Sequence, residues 1–506
     1  MREIGGPIAS RAFVALVDSR EPIGLSSGAR ERIVAARRVV DRHADGDTPV
    51  YGLNTGLGGN LGHRVAPTDM AAFQVQLLRG RAVGVGEPLP ARVGRAALLA
   101  RLVGVCRGTA GASLPVVEQM LAMHNAGLSP VIPTYGSIGA GDLALGAHLG
   151  LALIGEGELW VDGERRAAGA ALAAAGLAPV ILQPKDALVL ANHSAVSVAL
   201  AATALIRAER LVSLARGTAT LAGEGYAMNL SIFDAAVNAL RPSAGQARAA
   251  AWFRRAFDGS WLGAAAPRAI QDALSFRTLA PLFGVVTTAL ERLAQAVDAE
   301  LDAGADNPSV LLAADPPAML STPNFHTPDI ALALDALAQA LVQAANASAQ
   351  RIIKLMMPSL SGLPKYLSPI GGSSAGLVPM QKTVAALLGE IQRHAAPVTL
   401  SALPVSEMVE DVAPHTPLAA RKLDEQLEAL RLLIGIEALV AAQAIDLRRP
   451  PALGMVAAAL HARIRDTVPM LGEDRPTGQD VEPLLRALES SEVPALLARL
   501  DGSVHP

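Results

Sequence analysis

A mainly α-helical protein is what this sequence predicts: a bundle of long antiparallel helices in residues 201–506, preceded by a smaller mixed region, residues 1–200. Three observations carry this expectation. Two long stretches of the second half repeat apolar residues at three- and four-residue steps, the period of one helix face. Each stretch opens on a Thr-Pro pair and closes at a proline. Small Ala, Ser and Gly residues accompany both stripes, so neighbouring helices can approach closely and pack side by side.

The first of these helices begins at Thr327-Pro328-Asp329, where a capping residue, a proline suited to the first helical position and a first-turn acid follow one another. Leu334, Leu337, Leu341, Ala344, Ser348 and Ile352 then recur on one face until Pro358. That spacing predicts one helix of about 30 residues, roughly 45 Å long. The second runs from Thr416-Pro417 through Leu423, Leu427, Leu430 and Ile434 to Pro450. Glu437 falls inside this stripe; pairing within the bundle and a subunit interface are both open to it, and a solvated flank is the expectation.

Composition sets the outer limits. Of 506 residues 51% are hydrophobic and 18% charged, which excludes disorder and demands a large core. Lys and Arg number 43 against 46 Asp and Glu, so the formal charge of -3 leaves no basic footprint for nucleic acid or an anionic membrane. A small-molecule partner is expected instead. The single cysteine, Cys106, excludes an internal disulfide framework and a Cys-rich zinc site, and the ten histidines show no HExxH-like spacing, so no metal site is expected. No uninterrupted run of about 18 apolar residues suggests a membrane span. The longest candidate, Ala167 to Leu182, is broken by Pro179, and the N-terminus lacks the apolar centre of a secretory signal, so a cytoplasmic protein is expected.

Two short segments stand apart. Val50-Tyr51-Gly52-Leu53-Asn54-Thr55-Gly56 continues to Gly58, Gly59 and Gly62, yet G-x-G-x-x-G is not met and no βαβ unit frames it, which argues against a nucleotide loop. A flexible loop presenting Tyr51 is one reading and an ordinary glycine turn the other. The second segment, Pro133 to His148, reads as a turn rich in Gly, Ser and Ala that leads into a buried helix between Asp142 and His148.

Taken in order along nearly the whole chain, these and seven further blocks resemble the aromatic amino acid ammonia-lyase family, which includes the histidine, phenylalanine and tyrosine ammonia-lyases. The blocks are Tyr51 to Gly56, Gly84 to Leu89, Ser137 to His148, Asn192, Gln271-Asp272 with Ser275 and Arg277, Asp306-Asn307-Pro308, Asn324-Phe325-His326, Ser361 to Pro364, and Glu410-Asp411. The resemblance implies the ammonia-lyase and fumarase-like helical bundle, a carbon–nitrogen lyase activity and a homotetramer whose active sites draw on several subunits.

The family usually carries Gly-Ala-Ser-Gly-Asp-Leu, whose Ala-Ser-Gly tripeptide cyclises and dehydrates to an electrophilic methylidene-imidazolone. This chain reads Gly139-Ala140-Gly141-Asp142-Leu143. With no serine between Ala140 and Gly141 there is no hydroxyl to eliminate, and Ile138 follows Ser137 where ring closure wants glycine. Leu274 stands where the family carries tyrosine, and Leu282, after Pro281, where it carries glutamine. The expectation is therefore a member without the prosthetic group; a serine lost from the sequence record, with the methylidene-imidazolone intact, is the alternative.

Such a member has to manage a leaving group unaided. The ammonium N–H of a primary amino acid is far more acidic than its β C–H, so a base there removes the wrong proton. A quaternary ammonium has no such proton and departs as a neutral tertiary amine, while an imidazole or thioimidazole on the β-carbon takes up charge. A histidine-derived betaine fits, as in the ergothionase branch, which releases trimethylamine from ergothioneine. Two alternatives stay beside it: a conventional histidine ammonia-lyase, and a non-catalytic paralogue that binds a ligand. Retention of Tyr51, Arg277 and Glu410 argues against the last.

Roles carry over residue by residue. Tyr51 matches the family's base; its reference pKa of about 10 calls for a nearby cation. Arg81, Lys365 and Lys382 are candidates for that cation or for donation to a developing anionic ring, with a surface or structural charge as the alternative for each. Arg277 matches the carboxylate-binding arginine, whose planar fork holds a carboxylate bidentately. Asn192 and Asn324 match polar site positions, although His193 replaces the glycine after the first. Glu410 matches a glutamate near the imidazole of histidine enzymes, but Met408, Val409 and Val412 replace its usual polar neighbours. Phe325 either faces a methylated nitrogen or packs in the core.

Overall fold

The computed structural model describes residues 1–19, 21–44, 46, 48–56, 62–400 and 403–502. Four long helices dominate it: Ala195–Tyr226, Leu279–Leu301, Pro328–Leu355 and Thr416–Arg448. The two Thr-Pro starts fall where the capping pattern puts them, with Asp329 in the first turn of its helix. Pro358 does not extend the first of them, because its nitrogen has no proton to donate; it opens the short helix Pro358–Ser361 instead.

The chain forms two compact units. The first comprises residues 1–206, 293–334 and 397–421, the second 207–292, 335–396 and 422–506. This partition differs from a single boundary near residue 200. Each long helix contributes residues to both units, so the chain passes between them repeatedly and each unit gathers three separated segments. Within the first unit lie all the strands of the described residues, in four small sheets. Arg2–Ile4 pairs in parallel with Ile23–Leu25 across the helix Ser10–Asp18. That small βαβ arrangement precedes the glycine-rich segment and does not frame it. Val85–Pro88 pairs antiparallel with Pro133–Tyr135, and this pair matters for the site.

In the second unit Glu437 corrects the expectation of a solvated flank. Its side chain is fully buried, and Arg351 holds it bidentately, Nε to Oε1 at 2.5 Å and a terminal nitrogen to Oε2 at 3.0 Å. Ser348 donates to Oε2 at 2.6 Å, and Arg351 also reaches the Ser275 carbonyl at 3.1 Å. Ser348 and Arg351 sit three residues apart and so share a helix face, from which both reach the one carboxylate. Close helix approach is visible at Gly245, where a Cβ would lie 2.5 Å from the Gly284 carbonyl oxygen.

Two helical stretches, Asp186–Tyr226 and Pro328–Leu355, are long and apolar enough to cross a membrane by length and composition. Most of each is buried inside the structure, as expected of core helices.

Candidate active site

The sheet pair Val85–Pro88 with Pro133–Tyr135 sets the block after Gly84 beside the start of the degenerate segment. Gly84 fits closely there: a Cβ would sit 3.1 Å from both His148 Nε2 and the Pro133 ring, tighter than an ordinary contact. Arg81, last residue of the helix Met70–Arg81, precedes this pair and is half-buried.

From Ser137 the backbone turns sharply, with φ of +79° at Gly139, +89° at Gly141 and +42° at Asp142, before the helix Leu143–Leu153 begins. A web of bonds holds this turn. The Ser137 hydroxyl donates to Asp142 Oδ1 at 2.5 Å and accepts from the Gly139 N–H at 3.0 Å. Ser197, in the first turn of Ala195–Tyr226, donates its N–H to Asp142 Oδ2 at 2.7 Å and its hydroxyl to Oδ1 at 2.8 Å. Burial pushes the Asp142 carboxyl above its ordinary range, against the pull of those serine bonds. The Gly139 carbonyl accepts from the Thr327 hydroxyl at 3.1 Å, and the Ile138 carbonyl from the His415 N–H at 2.8 Å.

Gly141 is bound on both sides. Its N–H donates to the Phe325 carbonyl at 3.0 Å, and its carbonyl accepts from the His193 N–H at 2.9 Å. A methylidene-imidazolone requires a serine hydroxyl between Ala140 and Gly141, where this chain has a plain peptide bond. Ser137 spends its proton on Asp142. The residues present therefore do not fit that group.

Asn192 and Phe325 come together at Gly141. A Cβ on Gly141 would lie 2.3 Å from Asn192 Oδ1, displacing that side chain, and in ordinary contact at 3.6 Å with the Phe325 ring, and the φ of +89° favours glycine as well. Asn192 also donates to the Asn307 carbonyl at 3.3 Å, while Asn307 Oδ1 accepts from the Thr322 N–H at 3.0 Å. Through Asp306-Asn307-Pro308, then, the Asn192 turn and the approach to Asn324 share one anchor. Asn324 is exposed, and Phe325 is half-buried rather than a core residue. His193 is fully enclosed: Nε2 bonds the Leu190 carbonyl at 3.0 Å and Nδ1 accepts from the Ala195 N–H at 3.1 Å. Burial, with Arg101 nearby, pulls its pKa down to about 3, so it is neutral.

Tyr51 is half-buried in a turn built by the residues that follow it. Asn54 Oδ1 accepts from the Val50 N–H at 2.8 Å, Asn54 Nδ2 donates to the Thr48 carbonyl at 3.0 Å, and the Thr55 hydroxyl accepts from the Gly52 N–H at 3.3 Å. Asn54 and Thr55 are both buried. Gly58 and Gly59 lie outside the described residues. Glu410 is half-buried and pairs back to Val405 as a two-residue bridge, with the Ser406 hydroxyl donating to its Oε2 at 2.7 Å. Ser406, Glu407 and Met408 all take positive φ in this turn, and Met408, Val409 and Val412 are exposed. The His326 ring, next to Phe325, lies 3.4 Å from the Val412 carbonyl.

The remaining candidates belong to the second unit. Arg277 ends the helix Leu274–Arg277, is exposed and donates to Gln271 Oε1 at 2.7 Å. Lys365 is exposed with its ammonium 4.9 Å from the Tyr366 ring, and Lys382 is exposed on the helix Met380–Arg393. Sequence reasoning gave no role to Asn54, Thr55 or Asp142. The available signal was the polar side chain set within a glycine turn, which commonly bonds nearby backbone.

Residues 8–466 match the family model described as aromatic amino acid lyase. The chain is 36% identical over 505 residues to a histidine ammonia-lyase of Symbiobacterium thermophilum, covering 99% of both chains. It is 38% identical over 477 residues to one of Anaeromyxobacter dehalogenans, covering 92% of this chain and 94% of that one. Among solved structures, the ergothioneine-degrading ergothionase of Treponema denticola superposes with a TM-score of 0.93 at 31% identity, covering 97% and 99% of the two chains. The histidine ammonia-lyase of Trypanosoma cruzi gives 0.90 at 30% identity, over 100% and 96%. With the helical fold and the matching blocks in order, these likenesses place the chain in the aromatic amino acid lyase family, as a carbon–nitrogen lyase.

Proposed function

We propose that this lyase eliminates an amine from a histidine-derived betaine, ergothioneine or a close analogue, without a methylidene-imidazolone. The observation that carries the reading is the direct Ala140–Gly141 peptide, with the Gly141 N–H bonded to the Phe325 carbonyl and the Ser137 proton bonded to Asp142. In the reaction Tyr51, as phenolate, takes the β-proton. The C–H electron pair forms the new carbon–carbon double bond, and the α C–N pair leaves with trimethylamine. The (thio)imidazole shares the developing charge, for which Glu410, Lys382, Lys365 and Arg81 are the candidate polar partners. Arg277 is proposed to hold the carboxylate, and Asn192, Asn324 and Phe325 to line the amine. The likeness to a structure bearing desmethyl-ergothioneine sulfonic acid supports this substrate class. A cytoplasmic homotetramer with shared sites is part of the same proposal.

The second reading, a conventional histidine ammonia-lyase, is favoured by the names of the relatives at 36% and 38% identity. Incubation with histidine and with ergothioneine, following product absorbance and assaying the released amine, separates the two. Trimethylamine from ergothioneine with an intact mass equal to the unmodified chain is the expected result. Ammonia from histidine, with a mass two waters lighter, would replace it with the second reading. No product from either substrate would instead indicate a binding protein.

A further inference from the structure

Behind the degenerate segment, within the first unit, lies a cavity of about 20 Å³ that its sequence motifs do not explain. Arg101, His193, Ser194 and Glu300 supply its polar walls. Its volume suits one water molecule. Arg101 is buried and bonds Asp306 Oδ1 at 2.6 Å, while its Nε has no hydrogen-bond partner among the described residues. Glu300 accepts the Ser194 hydroxyl at 2.6 Å. Ser194 continues the Asn192-His193 run, whose first residue touches Gly141 and whose second donates to the Gly141 carbonyl at 2.9 Å.

We propose that Glu300 is a positioning residue: bonded to Ser194 at the polar wall of this cavity, it fixes the Asn192 to Ser194 turn against Gly141. Asn192 can then meet substrate in one place. The surroundings favour the protonated form. Burial, with Asp142 and Asp329 adding to it and the Ser194 bond opposing it, raises the Glu300 carboxyl to about 7. Arg101 faces the same cavity but is bonded to Asp306, His193 is neutral, and Asp302 is paired with Arg107 at 2.8 Å. Ionisation would put an uncompensated charge into the cavity, draw water towards it and loosen the turn.

The inference rests on lyase activity of this site and holds for whichever substrate is turned over. Glu300→Gln keeps the acceptor for Ser194 and stays uncharged, whereas Glu300→Leu keeps neither the bond nor the polar wall. Expected are a kcat for Glu300→Gln within a few-fold of the parent, loss of an alkaline limb near pH 7 in its profile, and a drop of about tenfold or more for Glu300→Leu without a matching change in KM. A second readout needs no turnover. Between the ordinary glutamate value of 4.5 and about 7 the folded chain holds a proton that the unfolded chain has lost, so stability falls as pH rises through this window. The Tm advantage of Glu300→Gln over the parent should therefore grow from about pH 5 to about pH 8. An unchanged alkaline limb in Glu300→Gln, activity as low as that of Glu300→Leu, or a Tm difference constant with pH would overturn the proposal. Failure to act on ergothioneine would touch only the substrate reading.

Discussion

Gly141 shows how much one position without a side chain can organise. With φ near +89°, it leaves Asn192 Oδ1 the space a Cβ would take, and its two backbone bonds reach Phe325 and His193, one far along the chain and one nearer. Gly141→Ala would meet Asn192 Oδ1 at 2.3 Å as well as backbone strain. Tyr51 gives the sharper chemical test. Tyr51→Phe removes the proposed base while Asn54 and Thr55 keep its turn, so kcat should fall by about 10²- to 10⁴-fold with an unchanged circular dichroism spectrum. Near-normal turnover would refute the role. Tyr51 and Asn192 stand out in the sequence as candidates because family blocks surround them. The bracing by Asn54 and Thr55 was not, since motif matching registers residue identity and says nothing of which backbone group a side chain bonds.

Among the elements, the helices Pro328–Leu355 and Thr416–Arg448 carry one exceptional contact in the second unit. The Arg351–Glu437 pair is fully buried, bidentate and supplemented by Ser348. Removing one partner strands a charge, so Glu437→Gln or Arg351→Met should cost about 3–5 kcal/mol, read from denaturant midpoints at constant slope. Replacing both by apolar residues should recover most of that loss, because the desolvation penalty disappears with the charges. A Glu437→Gln variant of parental stability would show that the pair holds little. The helix limits themselves were legible: Thr-Pro starts, apolar spacing and terminal prolines are local signals. The burial of Glu437 was not, because its partner lies 86 residues away on another helix.

For the whole molecule, the family resemblance predicts a homotetramer whose active sites take residues from more than one copy. Light scattering should then return about four times the 52.0 kDa chain mass. Subunit mixing tests the sharing itself. Tyr51→Phe and Asn192→Ala proteins, each impaired alone, should regain activity when denatured, mixed and refolded together. Two impaired preparations that stay impaired after mixing would place both residues in one copy.

The sequence by itself determined the family, the helical class, the starts of the two longest C-terminal helices and the missing serine. Each of these is written in residue identity or in periodicity over a few turns. Tertiary structure alone decided that the Asp142 carboxylate is saturated by Ser137 and Ser197, that Phe325 stands at Gly141 rather than in the core, and that Glu437 is buried against Arg351. It also decided that Glu300, bonded to Ser194, lines a polar cavity behind that turn. The physical reason is the same in each case: whether a polar group is desolvated, and what pays for it, depends on neighbours brought together only by folding.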